Sequence, residues 1–262
     1  MARWIRAATL VVALLVALRA RAAIGQSAAP ASLRTDVLAS YPHDPEAFTQ
    51  GLLLHDGTLY ESTGLNGRSS LRQVELTTGR VMRRVDLPAN LFGEGLALVG
   101  ERLFQLTWRD GLALTYDLAS LAENGRFTYS GEGWGLCFDG SQLIQSDGSQ
   151  RLIFRDPATF AITRQIAVTQ QGQPVMELNE LECVGDKVYA NIWMTNRIVE
   201  ISKLNGAVTA VIDAGDLLSP TERHALPSEA ILNGIAYDPS DATFLLTGKL
   251  WPKLFRVRLV PK

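Results

Sequence analysis

Short apolar runs recur along the whole chain, and turns rich in Gly and Asp separate them. One example is "EGLALVGERLFQLTW", residues 94–108, in which two apolar runs flank a Gly-Glu turn. Runs of this length that are bounded by turn residues predict strands rather than helices. The pattern therefore predicts an all-β protein built from short strands.

This phrase occurs five times at similar spacing. Each copy has a leading residue, a short apolar strand, a Gly or Asp turn and a second apolar strand. The leading residues are Gln50, Glu94, Trp134, Asn179 and Asn233. Further strand candidates lie between the copies, so each period of about 40–50 residues holds four strands, which is the signature of a β-propeller blade. The repeat predicts one five-bladed β-propeller over residues 30–262, and a β-sandwich with accidental self-similarity is the alternative.

Two segments fall outside the repeat. Residues 213–230, "DAGDLLSPTERHALPSEA", precede the fifth copy, and their prolines predict a short helical turn or a loop. Residues 34–41, "RTDVLASY", are expected to pair with residues 253–259, "KLFRVRL". Such pairing would close the ring and remove open sheet edges.

The start of the chain has a different pattern. Arg3 and Arg6 precede an apolar run over residues 7–18, and small residues follow it. Because the run is short for a bilayer span, it predicts a secretory signal peptide over residues 1–29, with an uncleaved anchor as the alternative. We expect an exported protein, periplasmic or secreted, without stable membrane association after cleavage.

Composition narrows the function classes. The chain is 47% hydrophobic and 20% charged with a formal net charge of -2, which is typical of a soluble globular protein. Without a basic excess we expect no nucleic-acid partner, and we expect a monomer. Cys137 and Cys183 lie in apolar strand patterns, so two buried free thiols are expected, with a disulfide as the alternative. The three histidines are scattered and form no zinc motif, so no metal or cofactor is predicted.

The positions that break the repeat are the candidates for function. In a propeller the first strand of each blade lines the central channel, so the five leading residues would meet at its mouth. The ends of the second strands vary in the same way and would lie beside the leading residues, because the two strands are antiparallel. These ends are Gly64, Trp108, Gly148, Trp193 and Lys249. Together the two sets predict a pocket with apolar walls and a few converging polar groups.

A purely structural role is the alternative interpretation of these residues. The three tryptophans could simply fill the channel, and Lys249 could be a solvent-exposed lysine in a turn. Glu94 would also suit a solvated rim, but the coincidence of all these residues at equivalent frame positions favours a functional site. Glu132, Glu180 and Glu182 are not leading residues and rank below Glu94. We therefore expect Glu132→Gln to be much milder than Glu94→Gln.

At these positions the chain resembles the plant and bacterial type of glutaminyl-peptide cyclotransferase, over residues 40–260. The segments that carry the resemblance include "FTQGL", "ESTGLNGRSS", "GEGL", "EGWGL", "NELE" and "TGKLWPKLF". The resemblance implies a five-bladed propeller that cyclises the N-terminal glutamine of peptides and proteins to pyroglutamate and releases ammonia. The family's active-site pattern matches at Phe48, Gln50, Glu94, Trp108, Trp134, Asn179, Trp193 and Lys249.

The resemblance also implies how the reaction runs. Glu94 would act as a single general acid and base without a catalytic metal, and Gln50, Asn179 and Lys249 would hold the amide. The aromatic residues would position the substrate. Two other functions remain as alternatives: a non-catalytic propeller that binds sugars or peptides, and a metal-dependent propeller hydrolase. The second would need several acids or amides around a cation, and the fact that Glu94 is the sole acid among the leading residues counts against it.

Overall fold

The computed structural model describes residues 29–262, so the predicted signal peptide lies almost entirely outside the described residues. Within this range the regular elements are twenty-two strands and one short helix. The prediction of an all-β protein is confirmed. None of the described helical residues forms a segment long and apolar enough to cross a membrane.

The strands follow the predicted repeat. After β1 (Ala31–Pro42), the first group is β2 (Thr49–His55), β3 (Thr58–Thr63), β4 (Ser70–Glu75) and β5 (Val81–Asp86). The second group is β6 (Gly93–Val99), β7 (Arg102–Thr107), β8 (Leu112–Asp117) and β9 (Glu123–Thr128). The third group is β10 (Leu136–Phe138), β11 (Leu143–Gln145), β12 (Arg151–Arg155) and β13 (Ile162–Ala167).

The second half of the chain continues in the same way. A small hairpin of β14 (Thr169–Gln170) and β15 (Gln173–Pro174) comes first. The fourth group is β16 (Leu178–Val184), β17 (Lys187–Ile192), β18 (Arg197–Ser202) and β19 (Val208–Asp213). The helix α1 (Pro220–Ala225) precedes β20 (Leu232–Asp238), β21 (Thr243–Gly248) and β22 (Lys253–Pro261). A capping box between Ser219 and Glu222 starts the helix, which lies inside the predicted insertion at 213–230.

The sheet pairings divide the described chain into five antiparallel units of four strands. Units 1, 2 and 3 are separate sheets, β2–β5, β6–β9 and β10–β13. Unit 4 is β16–β19, and unit 5 is β20, β21, β22 and β1. A parallel pairing of β1 with β19 joins units 4 and 5 into one eight-stranded sheet.

The two ends of the described chain meet in unit 5. β1 pairs with β22 in antiparallel register from Leu33 opposite Pro261 to Pro42 opposite Lys253. This confirms the predicted pairing of residues 34–41 with residues 253–259. The first strands contact one another in the order β2, β6, β10, β16 and β20, and β20 contacts β2. One hydrophobic cluster lies at each of the five junctions between units.

Close contact between first strands explains the residue after each leading residue. This residue is Gly51 in unit 1, Gly95 in unit 2 and Gly135 in unit 3, and a Cβ atom at any of them would overlap backbone atoms of the next first strand. In unit 4 the same position is Glu180, which is fully buried. Its Oε2 accepts from the N–H of Ile235 at 2.8 Å, and its Oε1 accepts from the N–H of Leu52 at 3.2 Å. A single carboxyl thus bonds to the first strands of units 5 and 1.

The expectation of two free thiols was wrong. Cys137 in β10 and Cys183 in β16 form a disulfide, with Cα atoms 5.5 Å apart. Both residues lie in apolar strands, as expected, but the junction of units 3 and 4 places them side by side. The pattern along one strand does not show which residue of the next unit it faces, so the sequence alone favoured thiols.

The disulfide links β10 of unit 3 to β16 of unit 4. It should stabilise unit 3, whose strands β10 and β11 have only three residues each. The two cysteines are 46 positions apart. Replacing both by serine is expected to lower the free energy of unfolding by about 2–4 kcal/mol, since an open chain gains conformational entropy on unfolding. Denaturant unfolding measures the change, with the reduced unsubstituted protein as the control. Equal unfolding midpoints for the oxidised protein and the double variant would contradict this role.

Candidate active site

A cavity of about 490 Å³ opens where the first strands begin. All eight site residues predicted from the sequence line it: Phe48, Gln50, Glu94, Trp108, Trp134, Asn179, Trp193 and Lys249. Five further residues line it that we did not predict: Phe92, Arg109, Met194, Glu229 and Ile231. Residues that are far apart in the chain therefore form one concave site.

A backbone irregularity occurs at the leading residue of four of the five units. In units 1, 2, 4 and 5 the pairing of the first two strands shifts register at the leading residue. A bulge of this kind interrupts the alternation of side chains along a strand and re-aims one of them. Gln50, Glu94 and Asn179 consequently line the cavity while the rest of each strand packs in its unit.

The residue two places before the leading residue lines the cavity in units 1, 2 and 5. Its carbonyl accepts from the backbone N–H at the end of the second strand. The four such hydrogen bonds are Gly64 to Phe48 (2.8 Å), Trp108 to Phe92 (3.0 Å), Trp193 to Glu177 (2.9 Å) and Lys249 to Ile231 (2.9 Å). This position accounts for Phe92 and Ile231, which were not predicted because the expected site consisted of the leading residues and the ends of the second strands. Phe48, two places before Gln50, was the available signal.

Five of the thirteen residues that line the cavity are aromatic. The ring centroids of Phe92 and Trp108 lie 5.5 Å apart, and those of Trp134 and Trp193 lie 5.6 Å apart with their planes nearly perpendicular. Gly64 and Gly148 end the second strands of units 1 and 3, and a Cβ atom there would overlap the rings of Phe92 and Trp134 respectively. The two glycines at these ends therefore make room for aromatic side chains.

Glu94 is the buried acid of the site, with only 4% of its surface exposed. The amide Nε2 of Gln50 donates to its Oε1 at 3.2 Å. Asn233 does not line the cavity: its Nδ2 donates to Oε1 of Gln50 at 3.0 Å. Four of the five leading residues thus line the cavity, and the fifth orients Gln50.

Burial shifts the pKa values of two cavity groups toward each other, against the attraction between their charges. Burial raises the pKa of Glu94 well above its usual value, the charge of Glu132 adds to this, and Lys249 opposes it. Burial lowers the pKa of Lys249 to about 8, with Glu94 opposing. A carboxyl with a raised pKa and an amine with a lowered pKa in one cavity are suited to acid–base chemistry.

Two polar groups in the cavity have no hydrogen-bond partner among residues 29–262. Lys249 Nζ forms no hydrogen bond or ion pair within that range and lies 4.8 Å from the centroid of the Phe48 ring. Oδ1 of Asn179 is buried and accepts no hydrogen bond there. Because buried polar atoms are nearly always hydrogen-bonded, both groups are available to a ligand. Within the same range no cluster of three His, Cys, Asp or Glu side chains is arranged to hold a metal ion.

Comparison with known proteins identifies the family of the chain. A family model described as glutamine cyclotransferase matches residues 8–259. The glutaminyl-peptide cyclotransferase of Arabidopsis thaliana is 44% identical over 230 residues, which cover 86% of this chain and 71% of that protein. The crystal structure of Myxococcus xanthus glutaminyl cyclase has a TM-score of 0.84 and 42% identity, covering 89% of this chain and 99% of that chain. The chain belongs to the glutamine cyclotransferase family.

Proposed function

We propose that this protein cyclises the N-terminal glutamine of peptides and proteins to pyroglutamate and releases ammonia. The observation that carries the proposal is the buried carboxyl of Glu94 with its raised pKa, set in an aromatic cavity beside Lys249. The names of the Arabidopsis and Myxococcus relatives point to the same reaction.

The fold proposed for this activity is a five-bladed β-propeller formed by residues 30–262 as a single domain. Five four-stranded units whose first strands contact one another in a closed order support this arrangement. In it each unit is a blade, and the cavity lies at one mouth of the central channel.

The reaction is intramolecular. The α-amine of the substrate attacks its own γ-carboxamide carbon, a ring C–N bond forms, and the bond to the side-chain nitrogen breaks. The carboxylate of Glu94 takes a proton from the attacking amine and returns it to the leaving nitrogen, which departs as ammonia. A free α-amine titrates near ~7.7–8.0, so a carboxyl whose pKa is raised toward that range exchanges protons with it at little cost.

The other polar groups have separate tasks in this mechanism. Lys249, as an ammonium, stabilises the negative charge that develops on the carboxamide oxygen. Oδ1 of Asn179 accepts an N–H of the substrate, which satisfies its missing hydrogen bond. Gln50, oriented by Asn233, holds the carboxylate of Glu94 in place. The aromatic wall excludes water and keeps the amine near the carboxamide carbon.

The sequence pattern supports a further part of the proposal. Residues 1–29 are a secretory signal peptide, and the mature enzyme works in the periplasm or outside the cell as a monomer without stable membrane association. Its partners are peptides and proteins with an N-terminal glutamine, and nucleic acid is not among them.

Turnover of a glutaminyl peptide tests the function and the absence of a catalytic metal together. Purified protein should release one ammonia for each pyroglutamyl peptide formed, and exhaustive chelation should leave this rate nearly unchanged. If chelation abolishes the activity and a divalent ion restores it, a metal-dependent hydrolase is the better interpretation. Binding without any release of ammonia would indicate a non-catalytic propeller.

Glu94→Gln keeps the size of the side chain but cannot carry the proton. The kcat for a glutaminyl peptide is expected to fall about 10²–10⁴-fold, with a smaller change in KM, because the group acts in the transition state. Glu180→Gln is the matched control, since it makes the same change at a buried carboxyl that does not line the cavity. Melting curves show whether both variants are folded. A near-normal kcat in Glu94→Gln, or an equal loss in a Glu180→Gln protein with an unchanged melting temperature, would refute the assignment.

The pH dependence of kcat reports on Lys249. An ionised Glu94 and a neutral substrate amine both make the rate rise with pH, so neither produces an alkaline limb. Lys249 must be protonated, so kcat is expected to fall as the pH rises through about 8. Lys249→Arg remains protonated in this range and should lose the alkaline limb, even if its rate is lower. An unchanged alkaline limb in that variant would exclude Lys249 as its source.

A further inference from the structure

A carboxylate beside the cavity holds two of its tryptophans. Oε2 of Glu132 accepts from Nε1 of Trp108 at 2.8 Å and from Nε1 of Trp134 at 2.9 Å. Trp108 directly follows β7 of unit 2, and Trp134 precedes β10 of unit 3. One oxygen atom therefore joins the indoles of two neighbouring units across their junction.

The second oxygen of Glu132 adds a third contact. Oε1 accepts from Nε of Arg109 at 2.9 Å, and the guanidinium carbon of Arg109 lies 3.7 Å from the centroid of the Trp108 ring. Trp108 is therefore held at its edge by Glu132 and on one face by Arg109, a cation–π arrangement. Phe92 contacts the same ring.

Trp134 in turn contacts a third tryptophan of the cavity. Trp134 packs edge-to-face against Trp193, which is 39% exposed at the cavity rim. Trp108 and Trp134 are partly exposed. Without Glu132, each indole could change rotamer and its N–H could bond water. Hydrogen bonds to an ionised acceptor are stronger than those between neutral groups. Although partial burial raises it, hydrogen bonds from Trp134, Arg109 and Trp108 keep the pKa of Glu132 below its usual value, so the acceptor is ionised at neutral pH.

The place of Glu132 in the repeat is consistent with a role in the wall. It lies two residues before its leading residue, as Phe48, Phe92 and Ile231 do in units 1, 2 and 5. Those three residues line the cavity with apolar side chains. In unit 3 the position holds a carboxylate, which orders neighbouring wall residues instead of forming wall itself.

We propose that Glu132 is a positioning residue of the active site, which fixes Trp108 and Trp134 so that the cavity wall is preformed around the substrate. The inference rests on the proposed function. Glu132 acts through the two indoles and makes no contact with the reacting atoms, so its role differs from that of Glu94.

Two substitutions separate hydrogen bonding from charge. Glu132→Gln retains one acceptor oxygen, which would face the two indole N–H groups because the amide nitrogen would repel both donors. Its amide nitrogen would then face Arg109, whose side chain is 64% exposed and can bond water instead. Glu132→Ala removes the acceptor altogether. Glu123→Ala is the matched control, because Glu123 pairs with Arg126, has 34% side-chain exposure against 35% for Glu132, and lies on the last strand of unit 2.

The kinetic outcome should follow the hydrogen bonds. For Glu132→Ala, kcat/KM for a glutaminyl peptide is expected to fall about 10–100-fold, since displaced positioning groups cost this much. Glu132→Gln should stay within a few fold of the unsubstituted protein, and Glu123→Ala should equal it. Rates are compared on the pH plateau of each protein, because the charge of Glu132 also raises the pKa of Glu94. Melting temperatures of Glu132→Ala and Glu123→Ala should be similar.

A second readout does not depend on turnover. Acrylamide quenching of tryptophan fluorescence should increase in Glu132→Ala and remain unchanged in Glu132→Gln and Glu123→Ala. The quenching reports on the cavity tryptophans, because Trp251 is fully buried and contributes little to it. Unchanged quenching and kinetics in Glu132→Ala, or an equal loss in Glu132→Gln, would overturn the inference. If the unsubstituted protein releases no ammonia, the proposed function fails, and the quenching comparison still decides whether Glu132 fixes the wall.

Discussion

The antiparallel pairing of β1 with β22 is the constraint on which the rest of the structure depends. It brings the two ends of the described chain into unit 5, and β20 of that unit contacts β2 of unit 1. Only with this contact do the five first strands form a closed order, and the cavity residues are attached to the starts of those strands. The pairing lies on outer strands, yet the placement of Gln50 beside Asn233, 183 positions away, follows from it.

Close packing of the first strands then sets the chemistry of the site. Glycine follows the leading residue in units 1, 2 and 3 because the next backbone leaves no space for a Cβ atom. The cavity is narrow enough to bury Glu94 and Lys249 almost completely, and this burial shifts their pKa values in opposite directions. The same packing brings Cys137 and Cys183 into a disulfide and lets Glu132 reach the indoles of two units.

The repeat in the sequence predicted the strands and seven residues of the cavity, because each of these depends on position within one repeating frame. Phe48 followed from the family resemblance, and the closing pairing followed from two segments outside the repeat. Features that depend on contact between different units were not predictable. The sequence does not show that Cys137 faces Cys183, or that Asn233 turns to Gln50 instead of the cavity. Phe92 was not predicted, and Glu132 ranked below Glu94, because their shared frame position lies two residues before the leading residue.

The central claim is that the cavity receives an N-terminal glutamine with its α-amine at Glu94. A crystal structure of Glu94→Gln with a bound glutaminyl peptide tests this directly, because the substitution should slow turnover without removing the cavity. The α-nitrogen is predicted to lie about 3 Å from the side chain of residue 94, with the carboxamide between the tryptophans and near Lys249. A peptide bound at another site, or with its amino terminus directed to solvent, would contradict the account.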